Sequence, residues 1–207
     1  MATRIVDQLL GYQALISRWN RVYNLTAVRD PEEMLTQHLL DSVSVVAPLA
    51  RGLTEAASPL DASAARRVLD VGSGAGLPGV VIAILRPDLT VCCVDAVAKK
   101  ASFIRQVATE LGLRNLQAEH RRIEDLQLPP FGLVTSRAFA SLLDFVTLTR
   151  PHLAAGGVWM AMKGRVPDDE MALLPPDVQV TRVEPLAVPG LAAQRCLVWM
   201  APGEGAA

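Results

Sequence analysis

A chain of 207 residues, 51% hydrophobic and 20% charged with few aromatic side chains, has room for one substantial α/β core and is not a disordered or fibrous protein. The net charge of −1 carries no global sign of nucleic-acid binding, so any such role must rest on a local basic patch. Apolar runs are too short to span a bilayer, Asp7 and Gln8 stand where an export signal needs its apolar core, and three cysteines fit neither a disulfide framework nor a metal spacing; a cytoplasmic protein with no membrane and no metal partner is expected.

In chain order, Ile5, Leu9, Tyr12, Ile16, Trp19 and Tyr23 recur at spacings of four and three, which predicts one face of a helix with Arg4, Arg18 and Arg21 along its edge. Asp30-Pro31-Glu32-Glu33 predicts a second helix, with a capping acid, a first-turn proline and acids where the dipole favours them. Leu35, Leu39, Val43 and Val46 would be its inner face. His38 and Asp41 fall one turn apart on it; with no nucleophile or metal partner in view, His38 reads as a core or capping residue. Residues 51–65, rich in alanine and serine without a usable period, predict a flexible connection between a helical segment at 1–50 and a domain at 66–200.

That domain is organised around Val68 to Gly79. An apolar run leads to Asp70, glycines stand at 72, 74, 76 and 79, and a second apolar run follows from Val80 to Leu85, which reads as strand, tight turn, helix. Glycine takes positive φ there and lets a ligand approach bare backbone, so the turn is expected to present free N–H groups. Dinucleotides and S-adenosylmethionine (SAM) both use such loops. Asp70 tilts the choice, because a carboxylate beside the loop repels a pyrophosphate and attracts a sulfonium and an ammonium group. Asp70, Gly72, Gly74 and Gly76 are therefore candidate SAM-binding residues.

The next strand, Thr90 to Val94, ends at Asp95, placed to accept hydrogen bonds from two ribose hydroxyls. Residues 98–111 predict a helix stopped by Gly112, and Lys99, Lys100, Arg105, Arg114, Arg121 and Arg122 form a basic run that is either a solvated face or a phosphate-contacting patch. After a short third strand at Leu116 to Ala118, Ile123 and Glu124 offer an apolar side chain beside an acid, suited to the face and edge of an adenine. Phe131 to Ser136 predicts a buried fourth strand that delivers Arg137 to the sheet edge where ligands bind; a surface ion pair is the plainer alternative. A helix over Asp144 to Leu153, a turn at Gly156-Gly157 and a fifth strand over Val158 to Met162 bring Lys163, Gly164 and Arg165 to the same rim. Two further strands, Val178 to Leu186 and Cys196 to Met200, complete an α/β fold with a seven-stranded, mostly parallel, Rossmann-like sheet of the class I SAM-dependent methyltransferase type and an N-terminal helical extension.

Several blocks, Trp19-Asn20-Arg21-Val22-Tyr23-Asn24-Leu25-Thr26, His38-Leu39-Leu40-Asp41-Ser42, the loop from Asp70 to Gly79, Phe103-Ile104-Arg105-Gln106-Val107, Ser136-Arg137-Ala138-Phe139-Ala140 and Lys163-Gly164, together resemble the RsmG (GidB) family of bacterial 16S ribosomal RNA guanine-N7 methyltransferases. The resemblance implies SAM contacts at Gly72, Leu77, Ile123, Glu124 and Arg137, with Asp95 on the ribose, and 16S ribosomal RNA or the small ribosomal subunit as partner; a monomer is expected. Where the family usually carries Ser-Leu-Gly before a lysine, Ala96-Val97-Ala98 precede Lys99 here.

The implied chemistry agrees with the residues. Guanine N7 has an available lone pair at neutral pH, so transfer needs alignment of nucleophile, methyl and sulfur more than a general base. Arg137 and Lys163 are the candidate catalytic residues, expected with Arg165 to hold a phosphate or the cofactor carboxylate near the methyl. Cytosine C5 chemistry would need a reactive thiol, and adenine N6 chemistry usually comes with an Asn/Asp-Pro-Pro-aromatic block that Ser136-Arg137-Ala138-Phe139 does not match. A nicotinamide oxidoreductase and a non-catalytic RNA-binding protein are the rival readings.

Overall fold

The computed structural model describes residues 2–55 and 61–203. Its strands are β1 (Arg67–Val71), β2 (Thr90–Asp95), β3 (Leu116–His120), β4 (Phe131–Ser136), β5 (Leu153–Lys163), β6 (Val178–Pro185) and β7 (Cys196–Pro202), in the sheet order β3-β2-β1-β4-β5-β7-β6. Neighbours from β3 to β5 pair in parallel, and β7 alone runs antiparallel, to both β5 and β6. The central strands read as continuous apolar runs because both faces are covered: every residue of β4 is buried, and so is Val68 to Val71 of β1.

Successive residues of a strand point to opposite faces, so Val68 enters one hydrophobic cluster and Leu69 the other. The first is covered by α1 (Ala2–Tyr23), α5 (Gly79–Leu85) and α6 (Ala98–Glu110), and the second by α7 (Leu142–Thr149). On α1, Tyr12 and Ile16 are fully buried in the same cluster as Val80 and Phe103, and Trp19 sets its ring edgewise on Phe103 at 5.4 Å. The N-terminal segment is thus part of the main core.

The second predicted helix starts as expected, with Asp30 Oδ1 accepting the N–H groups of Glu32 and Glu33 at 2.9 and 3.0 Å. It is not a single helix. The chain runs from α2 (Pro31–Met34) through a π-helical turn (Leu35–Leu40) into α3 (Asp41–Ser44) and α4 (Val46–Glu55).

Three expectations are corrected. The connection at 51–65 is not uniformly irregular: 51–55 end α4, where Gly52 lies so close to the Trp199 ring that a Cβ would overlap it and Arg51 pairs with Glu184, while 56–60 lie outside the described residues. Gly156 and Gly157 do not turn the chain before a fifth strand at Val158; β5 begins at Leu153, and a register shift opposite Phe131 and Leu133, with Gly156 at φ +74°, absorbs them as a bulge. A short helix, α8 (Asp168–Ala172), follows β5 where none was expected. Among the described residues no helix is long and apolar enough to cross a membrane.

Candidate active site

The glycine loop joins β1 to α5 beneath the carboxyl ends of the strands. Gly72, Gly74 and Gly76 all adopt positive φ, at +65°, +61° and +91°. Gly72 has nothing within 4 Å of where a Cβ would stand, so the space above it is open to a ligand. The expected free N–H groups are a further correction: Gly72 and Ser73 donate to Val94 O, Gly74 to Asp95 Oδ2 at 2.9 Å, and Gly76 and Leu77 to Ser73 O. A loop whose amides are consumed internally offers a shaped hollow rather than a phosphate cradle, which argues against a dinucleotide on its own grounds.

The hollow is a cleft of about 220 Å³ shared by Gly72, Asp95, Ala96, Ile123, Glu124 and Phe139. Asp95 ends β2 with its carboxylate held by the Gly74 and Val97 N–H groups at 2.9 Å each and by Lys100 Nζ at 3.7 Å. Each oxygen keeps acceptor capacity for a hydroxyl. The Ala96-Val97-Ala98 departure does not disturb this acid, because Val97 is held through its backbone. Ile123 and Phe139 supply apolar walls and Glu124 a polar edge, the requirements of an adenosine. From behind, Tyr12 Oη donates to Ala75 O at 2.6 Å, so α1 braces the loop.

Two predicted contacts move. Asp70 is fully buried: its Oδ2 accepts the Gly79 N–H at 2.9 Å, at the start of α5, and its Oδ1 has no partner. Burial outweighs that hydrogen bond and pushes its pKa up to about 7. It stands behind the loop and does not line the cleft. The Leu77 side chain is buried in the core as well, which leaves only its backbone for a ligand.

A second cleft, of about 360 Å³, adjoins through the turn after β4, with Arg137 on this side and Phe139 on the other. Arg137 Nη1 lies 3.3 Å from Gln37 O, 3.4 Å from His38 Nδ1 and 3.7 Å from Asp41 Oδ2. Asp41 Oδ1 accepts Arg195 Nε at 3.0 Å. Since Arg137 only donates, His38 Nδ1 is the acceptor and its Nε2 proton goes to Thr26 Oγ1 at 2.6 Å. Burial lowers the His38 pKa, in keeping with a neutral ring. Asn20 completes the chain of support by accepting the Thr26 N–H and donating to Val28 O. The Trp19 to Thr26 block therefore reaches the site through His38.

Lys163, at the end of β5, lines the same cleft, but its Nζ is 3.0 and 2.8 Å from the two Glu170 oxygens, and Glu170 also accepts the Leu142 N–H at 2.7 Å. Arg165 is exposed and lines a neighbouring depression with α8. The basic run is partly absorbed: Arg105 donates to Ala118 O and Arg121 pairs with Glu119, while Arg122 lines the adenosine-shaped cleft. Sequence reasoning missed Arg195, which stands alone before β7 with no motif around it. It undervalued His38 and Asp41, whose signal was that their block formed part of the family resemblance.

The fold and the paired clefts define a protein of the α/β methyltransferase class. Superposable solved structures include a ribosomal protein L11 methylase from Lactobacillus delbrueckii subsp. bulgaricus (TM-score 0.54, 19% identity, covering 76% of this chain and 78% of that one) and an rRNA methylase from Streptococcus thermophilus (TM-score 0.52, 17% identity, covering 74% and 93%), likenesses of fold alone. The profile of the GidB family, described as rRNA small subunit methyltransferase G, matches residues 5–198. Proteins named ribosomal RNA small subunit methyltransferase G from Methylibium petroleiphilum and Leptothrix cholodnii are 63% identical over 194 residues and 59% identical over 196, covering 94% and 95% of this chain and 84% and 86% of theirs. The chain belongs to the rRNA small subunit methyltransferase G family.

Proposed function

We propose that the protein transfers the methyl group of SAM to N7 of a guanine in 16S ribosomal RNA, giving 7-methylguanosine and S-adenosylhomocysteine. The observation that carries this reading is the adjacency of two unlike clefts across the turn Arg137 to Phe139, one shaped for an adenosine and one cationic. SAM supplies the electrophilic methyl. Gly72 makes room for it, Asp95 takes the ribose, Ile123 and Glu124 take the adenine, and Arg137 stands between cofactor and RNA.

The site's protonation chemistry suits a nucleophile that needs no deprotonation. Both His38 nitrogens are occupied, and burial pushes the Cys92 thiol up to about 12 and raises Cys93 and Cys196, so no thiolate is poised for attack on a pyrimidine. N7 lies in the deep, narrow groove of A-form RNA, so the target base is presented from a loop or splayed out before reaction. Arg137 would hold phosphate or the cofactor carboxylate close to the methyl, with the Glu170-paired Lys163 lining the same cleft and Arg165 exposed beside it. The protein would act as a cytoplasmic monomer on ribosomal RNA or on the small subunit.

The test is incubation of the purified protein with tritiated SAM and undermethylated small subunits, followed by nuclease digestion and identification of the labelled nucleoside. Label in 7-methylguanosine is expected. Label in another nucleoside discards the N7 assignment, and SAM binding without any label discards the enzyme reading for this substrate.

A further inference from the structure

Asp41 places a carboxylate that is 2% exposed in a cleft otherwise dominated by cations. It comes from α3, and the two guanidinium groups beside it come from elsewhere: Arg137 follows β4, with Nη1 3.7 Å from Asp41 Oδ2, and Arg195 precedes β7, with Nε 3.0 Å from Asp41 Oδ1. A buried ion pair recovers its desolvation cost poorly, so such a carboxylate is better explained by the geometry it imposes than by stability. Lys163 is neutralised by Glu170. One acid between two arginines leaves the cleft with a surplus positive charge.

The donors left over point to what that surplus receives. Asp41, Gln37 O and His38 engage Nη1 of Arg137, and Asp41 and Gln194 O engage Nε and Nη1 of Arg195. The remaining N–H groups of both forks are the ones available to a ligand. Two guanidinium groups fixed at their inner edges recognise a planar or tetrahedral oxyanion through their outer ones.

We infer that Asp41 is a positioning residue of the methyl-transfer site: it clamps Arg137 and Arg195 so that their free N–H groups receive one anionic oxygen group between them. The inference rests on the function proposed above, which supplies two sources of such a group, the methionine carboxylate of SAM and a phosphate of the RNA. Asp41 itself touches neither, since like charges repel.

The experiment is a double-mutant cycle of Asp41→Asn and Arg195→Gln on the full chain, with thermal melting to establish folding. SAM affinity is read by calorimetry and affinity for transcribed 16S RNA by filter binding. Asp41→Asn keeps the shape and an acceptor but removes the charge, and it is expected to weaken one of the two affinities by about tenfold. A fall in SAM affinity assigns the anion to the cofactor carboxylate, and a fall in RNA affinity assigns it to a phosphate. In either case most of the loss disappears in the Arg195→Gln background, which a general loosening of the fold would not produce, and the loss falls on one ligand rather than equally on both.

Wild-type affinity for both ligands in folded Asp41→Asn protein, or equal losses in the two backgrounds, overturns the inference. Should Asp41→Asn fail to fold, Arg195→Lys carries the test, because it keeps the charge but loses the fork; unchanged affinities for both ligands again overturn it. Neither readout depends on which atom is methylated. A wild-type protein that binds SAM but not 16S RNA defeats the functional reading and leaves SAM affinity to decide the inference alone.

Discussion

The two clefts that meet at Arg137 are built in opposite ways. The adenosine-shaped one is made by consecutive pieces of one sheet: a glycine loop whose amides bond to Ser73 and to the end of β2, an acid at that strand end, and two short turns beyond. The cationic one is assembled from the far ends of the chain, with Asp41 reaching a partner 154 residues away and Arg137 reaching His38 across 99. A site made of local backbone tolerates change in side chains and fails when its φ angles are disturbed. A site made of distant side chains behaves the other way round.

The largest effect tests the second half of that contrast. Arg137→Ala should lower kcat/KM on small subunits by about a hundredfold, the scale of losing a charged donor at a reacting centre, while the protein still folds with a lowered melting temperature, because buried Asp41 loses Arg137 but keeps Arg195. Unchanged SAM binding and unchanged methylation would remove Arg137 from the site.

The glycine loop should show the reverse. Gly76→Ala combines φ +91° with a Cβ that overlaps Val80 and should cost about 3 kcal/mol in urea unfolding. At Gly72, φ is +65° but the space is open, so Gly72→Ala should cost only about 1 kcal/mol and act mainly on SAM affinity, measured by calorimetry. Equal destabilisation by the two would break the distinction between loop frame and ligand hollow.

A subtler separation comes from pH. Asp70 ordinarily titrates near 3.8 and is raised to about 7 in the fold, so between those values the folded state binds more protons than the unfolded one. Its contribution is fully present below about pH 4 and is lost as pH rises through 7. His38 has the opposite sign: its folded pKa is lowered, and stability falls as pH drops below the ordinary histidine range. Denaturant unfolding of wild type and Asp70→Asn from pH 5 to 8 should therefore give a difference that grows with pH in favour of the variant. A constant difference would show that Asp70 does not titrate in this window. The smallest effect is Tyr12→Phe, which removes one hydrogen bond to the loop and should cost about 1 kcal/mol with a modest loss of SAM affinity.

The same contrast explains what the sequence made legible. Period and punctuation identified the strands and the loop, and β4 falls at its expected bounds, because an apolar run between turn signals is local information. The position of Asp95 at the end of β2 was legible for the same reason. The Gly156-Gly157 pair misled because a bulge and a turn use the same residue, and only strand pairing tells them apart. Asp70 was misread because proximity in sequence to the loop does not say on which side of it the carboxylate lies. Arg195 was invisible, since its role exists only once β7 has docked against β5.

The antiparallel seventh strand thus has a temporal meaning. Every residue lining the adenosine-shaped hollow precedes Leu153, whereas the Asp41 to Arg195 contact closes a loop spanning 154 positions and carries the entropy of doing so. The residues that line the nucleoside-shaped hollow are therefore all synthesised before the carboxyl-terminal strands, and the charged half waits for the last pairing.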